Sequence, residues 1–182
     1  MYVPPENSIW IPLGIQRPPF YQSDSVDALN YGALGMVLGH ELTHGFDNNG
    51  ALYDSHGNFI NWWSNQTREE FQKKQQCFID EYDGYTFKIF DKIPNYDGPK
   101  GVDGTRTLGE NIAGKRKYFR SENKVDYFYK VQFSPILDNG GIREAFLAYK
   151  KRLASKGMEP SLPGLHGFTL DQASLLEYLV RK

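Results

Sequence analysis

Two histidines separated by one helical turn are the residues in this chain best suited to chemistry. They belong to the run His40-Glu41-Leu42-Thr43-His44. On an α-helix, residues four apart lie one above the other, so both imidazoles can bind one ion, typically Zn²⁺. Glu41 lies about 60–100° around the helix from them. There it can accept a proton from water and return it to a leaving amine. The run predicts a hydrolytic zinc site, and two unrelated core or surface histidines are the alternative.

The sequence also offers a candidate for the third ligand that a catalytic zinc ion needs beside an open coordination position. This candidate is Glu110, in the stretch Thr107-Leu108-Gly109-Glu110-Asn111-Ile112-Ala113. A lone glutamate on a helix is more often a solvated surface residue. The residues alone leave both interpretations open.

The histidines are predicted to lie on a helix over 29–46. Leu34, Leu38 and Leu42 recur every four residues and are expected to bury this helix, leaving the histidine face free for a cleft. Gly35 and Gly39 are expected to let another element approach a third side closely.

Three further helices are predicted, over 64–82, 105–113 and 142–155. Thr67 and Glu70 read as the capping box of the first of these. Gly157 is the expected C-cap of the last. Strand patterns are short and few.

The composition is that of an ordinary globular chain. It has 182 residues, 40% hydrophobic and 24% charged, and a net charge of -1, which favours neither nucleic acid nor an anionic membrane. No stretch has the length of a membrane span, and the N-terminal residues lack signal-peptide features. The single Cys77 fits either a cytosolic or buried thiol, or half of a disulfide in a secreted protein.

Several stretches resemble, in the same order, the neprilysin and endothelin-converting-enzyme family of zinc metallopeptidases, a group of gluzincins. The resemblance extends over roughly residues 7 to 172. It is carried by Pro12 to Tyr21, Ser25 to Gly32, Gly35 to Gly50, Asn61 to Trp63, Thr107 to Ala113, Asp138 to Gly141 and Leu162 to Leu165.

This resemblance implies an incomplete thermolysin-like catalytic domain of the α+β class, mainly helical. The implied activity is that of a zinc-dependent endopeptidase that hydrolyses peptide bonds in oligopeptides. The implied zinc ligands are His40, His44 and Glu110, with Glu41 as the catalytic base. Asp47 matches a family position near the second histidine, where a supporting role outside the coordination shell is expected.

The resemblance also bears on location. Members of the family are typically membrane-anchored with an extracellular catalytic domain, or secreted. The chain as given shows neither signal nor anchor, so its localisation stays open. Asn65-Gln66-Thr67 is a glycosylation sequon if the protein is exported, and otherwise an unmodified helix start.

The stretch after Glu110 departs from the family pattern. The family continues Glu-Asn-Ile-Ala-Asp-Asn-Gly-Gly, and its aspartate orients a zinc-bound histidine. Here position 114 is Gly, and Asp-Asn-Gly-Gly resumes only at Asp138, so 114–137 is predicted to be an insertion. Unless Asp138 returns by tertiary packing, the missing partner is expected to weaken metal affinity or activity by roughly 10–100-fold.

We therefore expect one partial peptidase domain over residues 1–182, with 173–182 as a divergent tail. No residues match the family's substrate-gripping Asn-Ala pair, its transition-state histidine or its substrate-carboxylate arginine. A catalytically impaired zinc-binding fragment or pseudo-enzyme that acts through protein contacts is the alternative function. The basic, aromatic insertion could suggest nucleic-acid binding, but the chain is near neutral and no nucleic-acid partner is expected.

Overall fold

Helices dominate the structure, a computed structural model that describes residues 1–87, 90–95, 97–98, 100–114 and 140–160, together with 167, 169 and 172. The α-helices of this part are α1 (Asp27–Asn30), α2 (Met36–Thr43), α3 (Asn65–Asp83), α4 (Leu108–Ala113) and α5 (Gly141–Lys156). Strands β1 (Tyr2–Val3) and β2 (Ser8–Ile9) pair antiparallel, with Tyr2 opposite Ile9. The expected fold, mainly helical with a small sheet, is confirmed. Within the described residues, no helix combines the length and apolar character needed to cross a membrane.

The histidines lie on one long helical segment made of several parts. Helix α1 passes into a π-helical stretch, Tyr31–Gly35, then into α2 and a final 3₁₀ turn, His44–Phe46. The helix predicted over 29–46 is thus confirmed, and it begins two residues earlier than predicted. We call the whole segment, residues 27–46, the histidine helix.

The histidine helix packs against α5 through glycines. A Cβ added at Gly39 would lie 2.5 Å from the carbonyl oxygen of Gly141, so only a residue without a side chain allows this backbone approach. At Gly35 an added Cβ would lie 3.7 Å from the Cβ of Ala145. The expectation that these glycines admit a close neighbour is confirmed.

The leucine stripe of this helix is not its buried face, and that prediction is wrong. Leu38 is 39% exposed and Leu42 is 57% exposed. The reason is that α5 occupies the glycine side of the helix, which leaves the leucines on a different side from this contact. His40, by contrast, is buried, with 7% of its surface exposed.

The start of the histidine helix is held by a residue far along the chain. The carboxylate of Glu159 accepts hydrogen bonds from the backbone N–H groups of Asp27, at 2.6 Å, and Ala28, at 3.0 Å. These are N–H groups of the first turn, which have no partner within the helix. Arg152 on α5 forms ion pairs with both Glu159 and Asp27. Beside this cluster, Ala28 packs in a small core with Tyr149 and Leu153 of α5.

The remaining helices follow the predictions with corrections at their ends. Helix α3 is capped by Ser64, whose hydroxyl oxygen accepts the N–H of Thr67 at 3.1 Å. Thr67 is therefore the third residue of the helix and not its cap. The capping box predicted for Thr67 and Glu70 is wrong. The extended backbone of Ser64 places its hydroxyl over the helix start.

Gly157, with φ of +86°, ends α5 as predicted. Cys77 is exposed on α3, so its thiol is not buried.

Helix α4 begins at Leu108, three residues later than predicted. The preceding turn is closed by the N–H of Thr107, which bonds the carbonyl oxygen of Asp103. The predicted insertion, from residue 115 onward, and the tail 173–182 lie outside the described residues and stay predictions.

Candidate metal centre

Two histidines and one glutamate converge on a single point between the histidine helix and α4. The Nε2 atoms of His40 and His44 lie 3.0 Å apart. The Oε2 atom of Glu110 lies 3.7 Å from the first and 4.0 Å from the second. Among the described residues, these three form the only group of histidine, cysteine or acidic side chains whose possible ligand atoms all lie within 4.8 Å of one another. The structure thus brings together the three residues that the family resemblance implies as zinc ligands.

His40 is oriented by a backbone carbonyl. Its Nδ1 lies 3.0 Å from the carbonyl oxygen of Ala113, the last residue of α4. A carbonyl oxygen can only accept a hydrogen bond, so Nδ1 of His40 carries the proton and donates it. In the neutral ring, Nε2 is then an unprotonated acceptor that points at the other two ligands.

His44 is oriented by a carboxylate from the next turn of the chain. Its Nδ1 lies 2.7 Å from Oδ2 of Asp47. The other oxygen, Oδ1, accepts the backbone N–H groups of Asn49 and Gly50, both at 2.7 Å. Asp47 is buried and fixed by these contacts, so it holds the imidazole with Nδ1 as donor and Nε2 directed inward. The structure thus places Asp47 where a supporting residue is expected.

The donor set fits a cation of the zinc type. With both Nδ1 atoms donating outward, two imidazole lone pairs and one carboxylate oxygen face each other. The Oε2 atom of Glu110 is buried and has no hydrogen-bond partner among the described residues. Ligand atoms at about 2.0–2.1 Å around a tetrahedral zinc ion lie about 3.3–3.4 Å apart, and the three distances observed scatter around that value. Three converging acceptors without a donor are stabilised by a cation.

The two imidazoles have opposite electrostatic surroundings. Burial and the neighbouring His44 hold the pKa of His40 below its ordinary value of 6.5, against smaller opposing contributions from the nearby glutamates and Ala113. Burial also lowers the pKa of His44, but the hydrogen bond and charge of Asp47, with the charges of the two glutamates, raise it above that value. Without a metal, a proton on His44 is therefore the competing occupant of the site.

Glu41 contacts the first residues of the chain. Its Oε2 accepts the backbone N–H of Tyr2 at 2.7 Å, and its Oε1 lies 3.1 Å from the α-amino group of Met1. The side chain is 14% exposed. Strand β1 thus runs directly beside the predicted base.

Sequence reasoning missed two contributors to the site because both act through the backbone. These are the carbonyl of Ala113 and the N–H of Tyr2. The one available signal was Gly114, which as a helix-ending glycine predicts where the last carbonyls of α4 become free to bond. Asp138 lies outside the described residues, so its supporting role stays a prediction.

The sequence of this chain is similar to that of proteins from a known family. The family model for Peptidase family M13 matches residues 1–118. The chain is 38% identical over 177 residues to the mouse protein Membrane metallo-endopeptidase-like 1 (Mus musculus), covering 97% of this chain and 19% of the mouse protein. It is also 38% identical to Neprilysin-11 of Caenorhabditis elegans, over 97% of this chain and 17% of that protein.

A solved structure shows the same fold. The zinc metalloprotease Zmp1 of Mycobacterium tuberculosis, in complex with an inhibitor, superposes with a TM-score of 0.73 at 33% identity, covering 97% of this chain and 22% of that one. This chain spans about a fifth of the length of the relatives it matches. With the family match extending over most of the sequence and including His40, His44 and Glu110, the chain belongs to peptidase family M13.

Proposed function

We propose that this chain carries the zinc centre of an endopeptidase that hydrolyses peptide bonds in oligopeptides. The observation that carries the proposal is the convergence of His40, His44 and Glu110 as three acceptors without a donor. The names of the relatives, a metallo-endopeptidase and a neprilysin, support the substrate class.

In this proposal the metal is held by Nε2 of His40, Nε2 of His44 and Oε2 of Glu110. When bound, zinc supplies a Lewis acid that polarises a peptide carbonyl and acidifies water. Asp47 keeps the His44 ring in the orientation that binds, through the 2.7 Å contact at Nδ1. Burial of His40 and Asp47 keeps water away from the far sides of both rings.

Glu41 is the proposed general base. Its carboxylate takes a proton from the attacking water and returns it to the nitrogen of the leaving amine. The N–H of Tyr2 fixes Oε2, which leaves Oε1 as the atom that handles the proton. The ion pair at Oε1 involves an exposed α-amino group and contributes little, so water can take its place.

The test measures zinc content and oligopeptide cleavage on the same purified sample. The wild type should bind one zinc ion per chain. Glu110→Gln should weaken zinc binding by more than the roughly 10–100-fold that loss of a supporting residue costs. Glu41→Gln should abolish cleavage and keep the zinc. Glu69→Gln, an exposed position on α3, is the matched control and should change neither quantity.

A zinc-binding fragment without peptidase activity is the second candidate. It is favoured by the backbone contact of Glu41, since Oε2 of the proposed base accepts the N–H of Tyr2 and strand β1 runs directly beside it. Stoichiometric zinc without cleavage of any oligopeptide would select this candidate. Wild-type protein that is folded but binds no zinc would overturn both.

A further inference from the structure

The backbone at the end of α4 contacts His40. Asp47 already supports His44, so His40 is the histidine that the missing aspartate at position 114 would leave without a partner. The carbonyl oxygen of Ala113 lies 3.0 Å from Nδ1 of His40, although the two residues are 73 positions apart. Both residues are buried, with Ala113 fully so. Water therefore does not compete for this hydrogen bond.

Gly114 creates the geometry of this contact. It ends α4 with φ of +99° and ψ of 35°, in the left-handed region that favours glycine, and its N–H bonds the carbonyl oxygen of Glu110. The last four carbonyls of a helix have no partner within it. The carbonyl of Ala113 is one of these, and His40 supplies its donor.

Helix α4 therefore serves the site twice within its six residues. Glu110 and Ala113 are three residues apart and lie on the same side of the helix. The first contributes a carboxylate oxygen to the converging group, and the second contributes a carbonyl oxygen behind His40. One helix end thus fixes one ligand and orients another.

We propose that the carbonyl of Ala113, set in place by the left-handed Gly114, is the positioning group for His40 and replaces the family's aspartate. The inference rests on the proposed zinc site. Nδ1 of a neutral imidazole has one proton to donate, and this carbonyl takes it. The roughly 10–100-fold loss of metal affinity expected from the glycine at position 114 is therefore avoided. Asp138 is not required as the orienting partner of His40.

The test compares two glycines that end helices with positive φ but different ψ, 35° at Gly114 and 176° at Gly157. Gly114 and Gly157 both have positive φ, +99° and +86°, and both donate their N–H to the last turn of the helix before them. Gly114→Ala should shift the Ala113 carbonyl and weaken zinc binding by about 10–100-fold. Gly157→Ala suffers backbone strain at least as large, at the far end of α5, and should leave zinc affinity within about twofold. Asp138→Asn should likewise leave it within about twofold, since the single Nδ1 proton of His40 is donated to the carbonyl of Ala113.

A second measurement addresses the contact without metal or activity. In metal-free protein with ¹⁵N-labelled histidine, the resonances of His40 are assigned by their loss in His40→Asn. The wild type and Asp138→Asn should both show the tautomer protonated at Nδ1. Gly114→Ala should lose that preference, and Gly157→Ala should keep it.

Two results would overturn the inference. One is a tenfold or larger loss of zinc affinity in Asp138→Asn, with Gly114→Ala unchanged. The other is a His40 ring protonated at Nε2 in the metal-free wild type. A wild type that binds no zinc would instead defeat the proposed function, and the tautomer of His40 would then decide the inference by itself.

Discussion

The two histidines of the candidate centre lie one turn apart, yet they are supported in different ways. His44 is held by the side chain of Asp47, three residues further along the chain, at 2.7 Å. His40 is held by the backbone carbonyl of Ala113, 73 residues away, at 3.0 Å. One support is formed locally by a turn, and the other exists only when α4 packs against the histidine helix. A single side-chain deletion can therefore remove the first support but not the second.

The two supports also differ in charge, with consequences for protonation. Asp47 brings a carboxylate, and its hydrogen bond and charge raise the pKa of His44 despite burial. Ala113 offers a neutral carbonyl, so burial and the neighbouring His44 decide the pKa of His40 and lower it. Two rings of the same site are thus biased in opposite directions near neutral pH. A backbone carbonyl can thus fix the tautomer of a histidine without adding charge to the site.

Removing the local support should have the largest effect. Asp47→Ala should weaken zinc binding by about 10–100-fold, because the His44 ring loses its orienting partner. It should also lower the free energy of unfolding by about 1–3 kcal/mol, since the N–H groups of Asn49 and Gly50 lose their acceptor. Zinc titration and denaturant unfolding measure the two effects separately.

A turn elsewhere in the chain provides the control for this prediction. Asp54 accepts the N–H groups of His56 and Asn58, both at 2.9 Å, in a turn of the same kind away from the converging ligands. Asp54→Ala should reduce stability and leave zinc affinity unchanged. Equal zinc affinities for Asp47→Ala and the wild type would show that the contact with His44 does not position a metal ligand.

A smaller effect is expected when Asp47 is displaced rather than removed. A Cβ added at Gly109, next to Glu110 on α4, would lie 2.9 Å from Oδ2 of Asp47 and 3.0 Å from Oδ1 of Asn48. Asp47 is held by its hydrogen bonds to His44, Asn49 and Gly50, so its side chain cannot move aside without breaking them. Gly109→Ala should therefore destabilise the fold by about 1–3 kcal/mol.

Zinc titration should show Gly109→Ala to be weaker than the wild type and stronger than Asp47→Ala. Gly14→Ala is the matched control, because an added Cβ there meets nothing within 4 Å. An effect as small as that of Gly14→Ala would show that the close approach of α4 does not control the position of Asp47.

Sequence alone predicts the parts of this molecule that depend on side-chain type and spacing. The pair His40 and His44 follows from helical geometry, and the helix that carries it is found within two residues of its predicted start. Glu110 is different, because its spacing from the pair carries no geometric signal. Its assignment came from the resemblance of its motif to the metallopeptidase family, and the structure then brings it to the histidines.

The parts that sequence could not predict depend on which surfaces meet. Leu38 and Leu42 have the pattern of a buried stripe, but α5 packs on the glycine side, where backbones approach most closely. The carbonyl of Ala113 is present in every residue type and leaves no pattern of its own. Only the conformation of Gly114, known from the structure, shows that this carbonyl turns towards His40.

The smallest expected effect is a pH dependence that separates the two supports in metal-free protein. The folded-state pKa of His44 lies above its ordinary value of 6.5 because of Asp47. Stability from the protonated pair is thus fully present below that value and is lost as the pH rises through the raised pKa. The advantage of the wild type over Asp47→Asn in unfolding free energy should therefore be larger near about pH 5 than near about pH 8.

His40 has a lowered pKa and the opposite pH dependence, but this contribution is common to both proteins and largely cancels in the difference. Because His44 is partly exposed, with 18% of its side chain accessible, solvent screens the effect and keeps it small. A difference that grows from the lower to the higher pH would show that the charge of Asp47 does not govern the protonation of His44.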